Sequence, residues 1–368
     1  ATLGLLIGAR PNDHRLKLAL ARLLLEIGQR NTLDSALRRW QQESPGEPFW
    51  SHIEGMLAMQ QNDPLKAANA YRRHFARTGD AASLLAATDG YLAASLPAEA
   101  EQLCRELPPG VAAQPEAMVA KARVLATSDP KQARGLVAQA LRGVQDQARA
   151  EGLLRQARKA IPPVELAALL EELRAASPSR TTALALAETW EALGKADHAA
   201  NLLRALAEEA TGADRAELLA RLAAAEYAAG RAAEAEAGLR EALALAPNDP
   251  ALLNNAAHLA LAIGNRDAEA VRLAKRAVAA SAEDRELHAC ALATLGEGLF
   301  RLRLLDQARD ALLKALAIHD NPEDRLLLGR ALLADGQALK GAAQLRRAKE
   351  QAEQDGKSEL AKKIAALL

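Results

Sequence analysis

The chain has 368 residues, half of them apolar, with 47 basic and 47 acidic side chains, so its formal charge is zero. Nucleic-acid binding needs a basic face that this balance does not supply, and nucleic acid is not an expected partner. Only three Trp, three Tyr and three Phe accompany an apolar set rich in Ala and Leu, the two best helix formers, so helix is expected throughout.

Cys104 and Cys290 stand far apart and outside any CxxC or Cys/His cluster, so both are expected to be small buried hydrophobes. No apolar run approaches the roughly 20 residues of a membrane span, and direct membrane insertion is not expected. The chain opens at Ala1 with neither Met nor a signal peptide, as if processed or cut from something longer.

In chain order, residues 1–13 (ATLGLLIGARPND) read as the tail of a preceding helical unit, so the natural protein is expected to continue upstream. Residues 14–357 then repeat a helix–turn–helix plan with a period of about 34 residues. The plan is plainest in 216–249: a first helix, a break at Gly230-Arg231, a second helix, and Pro247-Asn248-Asp249. Units fall at 14–47, 48–80, 81–113, 114–147, 148–179, 180–215, 216–249, 250–288, 289–321 and 322–357, with small inserts after Gln29 and at 285–288. A small residue recurs in the first helix (Ala21, Gly55, Ala187, Ala223, Ala257, Gly296, Gly329) and another opens the second (Ala67, Ala100, Ala133, Ala199, Ala235, Ala270, Ala308, Gly341). Small side chains at both places let the two helices approach closely. Gly28, Gly194, Gly230, Gly264 and Gly336 sit where the first helix must end in a left-handed residue. Unit 148–179 is degenerate, with Pro162-Pro163 at its turn, and is expected to bend the array. Residues 358–368 read as a capping helix with Ser358 as N-cap and Leu360, Ile364 and Leu367 on its buried face.

These small residues, with Ala242, Ala277, Ala315 and Ala348 later in the second helix and Pro247 at the junction, resemble the tetratricopeptide repeat family over nearly the whole chain. The family's aromatic in the first helix survives only as Trp190 and Tyr91. The resemblance implies an all-α superhelix, a tetratricopeptide solenoid of about ten hairpins, that binds partners in a concave groove lined by first helices. The family's carboxylate clamp for chaperone tails needs Lys and Asn at set positions in three successive units. Nowhere does this sequence satisfy it.

No phosphate loop, nucleophile elbow, zinc-protease helix or dinucleotide turn is present, so no enzyme activity and no cofactor are expected. The seven histidines are scattered, without spacing that would converge on a metal, and carboxylate pairs such as Glu171-Glu172 read as solvated charge.

In the family's register the groove-facing candidates are Arg22 and Leu25, then His52, Met56 and Met59, then Asp89, Leu125, Glu188, Glu191, Arg221, Tyr227, Asn254, His258 and Arg330. Two sets stand out. Met56 and Met59 beside His52 suit a surface that grips apolar side chains, with Phe49 and Trp50 either extending it or plugging a hairpin junction. Asn254, Asn255 and His258 beside Arg221 and Tyr227 could hold an extended peptide backbone, or Asn255 could bond a neighbouring helix.

Segment 252–281 also resembles units of bacterial exopolysaccharide-export and related envelope proteins. The chain is therefore expected to be a non-catalytic bacterial scaffold binding protein or peptide, among them envelope or polysaccharide-export proteins, in the periplasm. A cytoplasmic adaptor, or the regulatory arm of a larger enzyme or porin, is the alternative. The uncapped front end would also allow self-association.

Overall fold

The structure is a computed structural model that describes residue 10, residues 13–142, residue 144 and residues 146–368. The tail expected over residues 1–13 lies almost wholly outside them. Twenty-two helices and no strand occur among the described residues, which pack as two compact units, 1–193 and 194–368.

Unit 1 contains the hairpins α1 (His14–Glu26)/α2 (Arg30–Glu43), α3 (Phe49–Gln60)/α4 (Pro64–Thr78) and α5 (Ala81–Ala93)/α6 (Pro97–Arg105). A single turn, α7 (Pro109–Ala112), leads to α8 (Pro115–Leu125)/α9 (Pro130–Arg142) and α10 (Gln147–Ala160)/α11 (Pro163–Ala176), and α12 (Arg180–Ala192) ends the unit. Unit 2 opens with α13 (Ala196–Glu209) and continues through α14 (Gly212–Ala228)/α15 (Ala232–Leu245), α16 (Pro250–Ile263)/α17 (Asp267–Ala280), α18 (Arg285–Arg301)/α19 (Leu305–Ile318) and α20 (Pro322–Ala334)/α21 (Ala338–Gln354) to α22 (Ser358–Ala365). Within each unit a second helix packs against the next first helix, and successive first helices, such as α5, α8 and α10, or α16, α18 and α20, touch one another.

Every small residue singled out at the two contact positions is buried. The fit leaves no spare room. A Cβ on Gly329 would stand 2.7 Å from Leu345 and 3.2 Å from the Gly341 carbonyl, and one on Gly296 would stand 2.6 Å from Leu312. Gly90 extends the rule to the contact between hairpins, where a Cβ on α5 would meet the Pro64 carbonyl at 2.8 Å and Ala68 of α4 at 2.9 Å.

The turn inside a hairpin repeats one hydrogen-bond pattern. The amide three residues past the helix end donates back to a carbonyl five residues earlier, as in Arg231→Glu226 (2.8 Å), Leu96→Tyr91 (2.9 Å), Leu304→Leu299 (2.9 Å) and Gln337→Leu332 (2.9 Å). This motif needs a left-handed residue just before the donor. Gly230 (φ 82°) supplies it where expected, but Asn62, Ser95 and Arg303 adopt φ of 57°, 60° and 61° in other hairpins. The hairpin with Pro162-Pro163 abandons the motif: Ile161 and Pro162 are extended and Pro163 starts α11 at a position where a missing N–H is harmless. Between hairpins, Asp80, Asp146, Asp249, Asp284 and Asn321 accept amide hydrogen bonds as N-caps of first helices.

Several local expectations are corrected. Residues 285–288 are no insert but the first turn of the 17-residue α18, and α14 likewise starts at Gly212, before the expected 216. Residue 30, just past the insert expected after Gln29, begins α2 directly. The N-cap of α22 is Lys357 rather than Ser358, and although Ile364 is buried against Leu345, Ala348 and Ala352, Leu367 is exposed. Cys104 is buried beside Thr88, whereas Cys290 is exposed on α18 because it falls on that helix's outward face. Trp50 is a junction plug: it is buried, stacked 6.1 Å from Trp40 and next to Phe49 and His14. Buried Lys17 places its ammonium 5.0 Å from the Trp50 ring and 3.8 Å from Glu43.

Two comparisons test the contact rule. Gly90→Ala is expected to lower stability by about 1–3 kcal/mol despite the better helix propensity of Ala, because rigid backbone opposes the new methyl. Gly135→Ala in α9, which meets nothing within 4 Å, is expected to raise stability by about 0.5–1 kcal/mol, both read by chemical denaturation. Likewise Ala308→Leu is expected to lower the melting temperature clearly, since Ala308 has no exposed surface, while Asn254→Ala leaves it unchanged or slightly raised.

Candidate functional site

In unit 1 the first helices α3, α5, α8 and α10 leave a groove with a cavity of about 410 Å³ between them. Its apolar floor is Tyr71, Leu85, Ala86 and Leu153, with Met59 at one end. Met59 is 48% exposed, which leaves its flexible thioether free to adapt to an apolar ligand group. Tyr71 is buried deeply enough that its phenol is pushed up to about 12, so it stays protonated.

The walls are charged and mostly paired. Arg149 of α10 grips Glu116 of α8 with two hydrogen bonds of 2.7 Å. That contact holds the Glu116 carboxyl below the usual carboxylate range. Asp89 of α5 pairs with Arg123 of α8 and, at 3.6 Å, with Lys159 of α10. Burial, and then the neighbouring Arg123, push the Lys159 ammonium down. Among the described residues no carboxylate pairs with Arg155, an exposed side chain on the same wall. Four bases (Arg123, Arg149, Arg155, Lys159) thus surround two acids (Asp89, Glu116).

The expected groove residues fall in several environments. Met59 and Asp89 line this cavity. Met56 is half-buried against Ala58, Ala67, Tyr71 and Ala87. His52 is half-buried too, its ring 5.6 Å from Tyr71 and 5.2 Å from His74 of α4. Burial first, then His74, lowers the pKa of His52, and burial lowers that of His74 against the opposing pull of Asp80. The histidines read as scattered therefore include one pair that the fold brings together. Arg22 is exposed on α1, and Glu188 of α12 pairs with Arg158 of α10.

In unit 2, Arg221 lies 3.5 Å from Glu217, Tyr227 is 40% exposed, and Asn255 and His258 are exposed. Asn254 is half-buried with its side-chain oxygen unpaired, and Arg330 lies over the Phe300 ring at 5.2 Å. A smaller cavity of about 150 Å³ opens elsewhere in this unit, between α15, α16 and α17, with Leu239, Leu259 and Ile263 inside and Arg266 bridging Glu236 and Glu269 at its rim. No sequence signal marks the bridging ion pairs, because Arg149–Glu116 and Arg123–Asp89 join residues about one repeat apart on separate helices.

Hairpins closed by small residues at both contact positions, and joined by capped turns, define an all-α fold of tetratricopeptide type. No protein-family profile and no curated protein sequence matches the chain. Among solved structures, a chain of the APC/C hetero-tetramer Cut9-Hcn1 is similar over 97% of this chain and 98% of its own, at 11% identity and a TM-score of 0.47. TTC0263, a thermophilic TPR protein of Thermus thermophilus, is similar over 52% of this chain and 100% of its own, at 25% identity and a TM-score of 0.44. PilF of Pseudomonas aeruginosa is similar over 54% of this chain and 91% of its own, at 20% identity and a TM-score of 0.40.

The Glu116–Arg149 clamp has a pH signature. Glu116 titrates below its ordinary 4.5, so its contribution to stability is complete above that value and is lost as pH falls through the folded-state value. Glu116→Gln should therefore be less stable than wild type near pH 7, and the difference should shrink as pH falls below 4.5 in denaturant titrations.

Proposed function

We propose that the chain is a non-catalytic scaffold that holds a protein partner through the first-helix groove of unit 1. The observation that carries this is the cavity itself: an apolar floor that includes Met59, Tyr71 and Leu153, lined by first helices α3, α5, α8 and α10 with Tyr71 from α4, and edged by Arg155 and Arg149. The occupant that fits is an extended peptide whose apolar side chain covers Tyr71 and Leu85 and whose carboxylates meet the basic margin. Hairpins held to one another by paired charges and buried small residues give the groove a fixed shape, so little ordering is needed in the protein when a ligand enters. The absence of any enzyme motif in the sequence accords with a binding role.

At a finer level we place the scaffold in a bacterial envelope assembly, for secretion or exopolysaccharide export, acting in the periplasm. Support comes from the likeness of segment 252–281 to units of such systems. Asn254, His258, Arg221 and Tyr227 would be a second contact surface in unit 2.

The test is affinity capture by the whole chain from separated envelope and cytosolic extracts of a bacterial source, run beside Arg155→Glu and Met59→Ala. Both substitutions are at exposed positions and should leave the helical circular dichroism intact. Envelope proteins retained by wild type and reduced about tenfold or more by Arg155→Glu are the expected result, a change that corresponds to about 1.4 kcal/mol. Partners drawn only from the cytosol would replace the envelope role with that of an adaptor. Partners indifferent to both substitutions would remove the groove from the account.

A further inference from the structure

Beside the groove, and separate from its charged walls, three residues from three helical elements converge. His52 lies on α3, His74 in the last turn of α4, and Asp80 caps α5. Gly79, at φ 70°, ends α4 and turns the chain so that Asp80 comes back beside His74. One ring nitrogen of each histidine and a carboxylate oxygen of Asp80 all lie within 4.8 Å of one another.

Two of the three are held in place by one buried hydroxyl. Ser83 Oγ is 2.8 Å from His74 Nδ1 and donates to Asp80 Oδ2 at 2.6 Å, and Ser83 itself is 1% exposed. Asp80 Oδ2 also accepts the Ser83 amide at 3.0 Å, and Oδ1 accepts the Ala82 amide at 3.3 Å. A carboxylate has about four lone-pair sites, so this arrangement leaves one on Oδ1. Helix capping accounts for Asp80, Ser83 and His74, but not for His52. Its Nδ1 is buried without a hydrogen-bond partner, an unfavourable condition for a polar atom unless something occupies it. Apart from the histidines themselves, the charge that opposes a cation near His52 is Arg22, and Asp80 favours one.

We propose that His52, His74 and Asp80 form a binding site for a borderline divalent transition metal, zinc foremost, with an open fourth position for water. Two imidazoles and one carboxylate are a donor set that such ions prefer over calcium or magnesium. Zinc ligands at about 2.0–2.1 Å stand about 3.3 Å apart in a tetrahedron, so binding draws the three groups, now within 4.8 Å of one another, closer together. The Ser83 hydroxyl then acts as the outer partner that orients two ligands. Bound there, the ion fastens the second hairpin to the start of the third.

The test uses the whole chain, stripped with a chelator and titrated with zinc chloride by calorimetry, beside His52→Gln, His74→Gln and Asp80→Asn. Cys290→Ala and His258→Gln serve as controls, since both residues are exposed and distant in sequence. The expected result is one zinc per chain whose affinity falls tenfold or more in each of the three site variants and is unchanged in the controls. Melting should rise with zinc in wild type and not in His52→Gln. Cobalt bound to the unmodified chain should shift the proton resonances of two histidine rings, which decides the question even if a variant does not fold. No zinc uptake, uptake abolished by Cys290→Ala, or cobalt that perturbs no histidine pair would overturn the site.

Discussion

The contact between the two helices of a hairpin constrains everything else in this molecule. At Gly329 and Gly341 each glycine's missing side chain is the space that the other helix occupies, with Leu345 and Leu333 closing over the pair. Close-packed interiors have no slack for an added methylene. That fixed distance determines where the turn must fall, which residue must be left-handed, and which face each first helix turns outward. The groove of unit 1 exists because α3, α5, α8 and α10 are each held by their neighbours in this way.

The same constraint explains what could be read from the sequence. A contact that repeats every hairpin writes small residues into the chain at a fixed period, so the fold class, the helix pairs and positions such as Ala235 and Ala308 were legible. Turn residues were legible only where glycine stood. Ser95 and Arg303 take the same left-handed geometry under the force of the surrounding hydrogen bonds, and nothing in their side chains announces it. Helix starts at Gly212 and Arg285 were missed because an extra turn at the front of a helix leaves the internal period untouched.

The candidate sites were less legible because their residues meet across helices. His52 and His74 belong to different helices and share no local motif, and their meeting depends on the rotation of α3 against α4. Nothing in the sequence around Arg155 and Lys159 distinguishes them from ordinary solvated charge. Only the placement of α8 and α5 beside α10 makes them the margin of a slot. In unit 2, pairs such as Glu236–Arg266 (2.7 Å) and Asp267–Arg301 (3.9 Å) link successive hairpins near their turns. Each is partly exposed, and such pairs contribute up to about 1 kcal/mol, so they tune hairpin registration more than they hold the fold together.

One arrangement limits how freely the repeats can be shuffled. Glu226 of α14 is a buried carboxylate bound both by Arg204 of α13 and by Arg231 at the start of α15, and Arg231 reaches further to Asp197. Much of the remaining contact between hairpins is alanine and leucine, surfaces that another hairpin could match. Removing the hairpin that carries α13 would take Arg204 and Asp197 away together and leave the buried Glu226 carboxylate to Arg231 alone, so a replacement must bring a base to the same place. The junction of α13 with α14 therefore carries a charge requirement that a contact of alanine and leucine alone lacks.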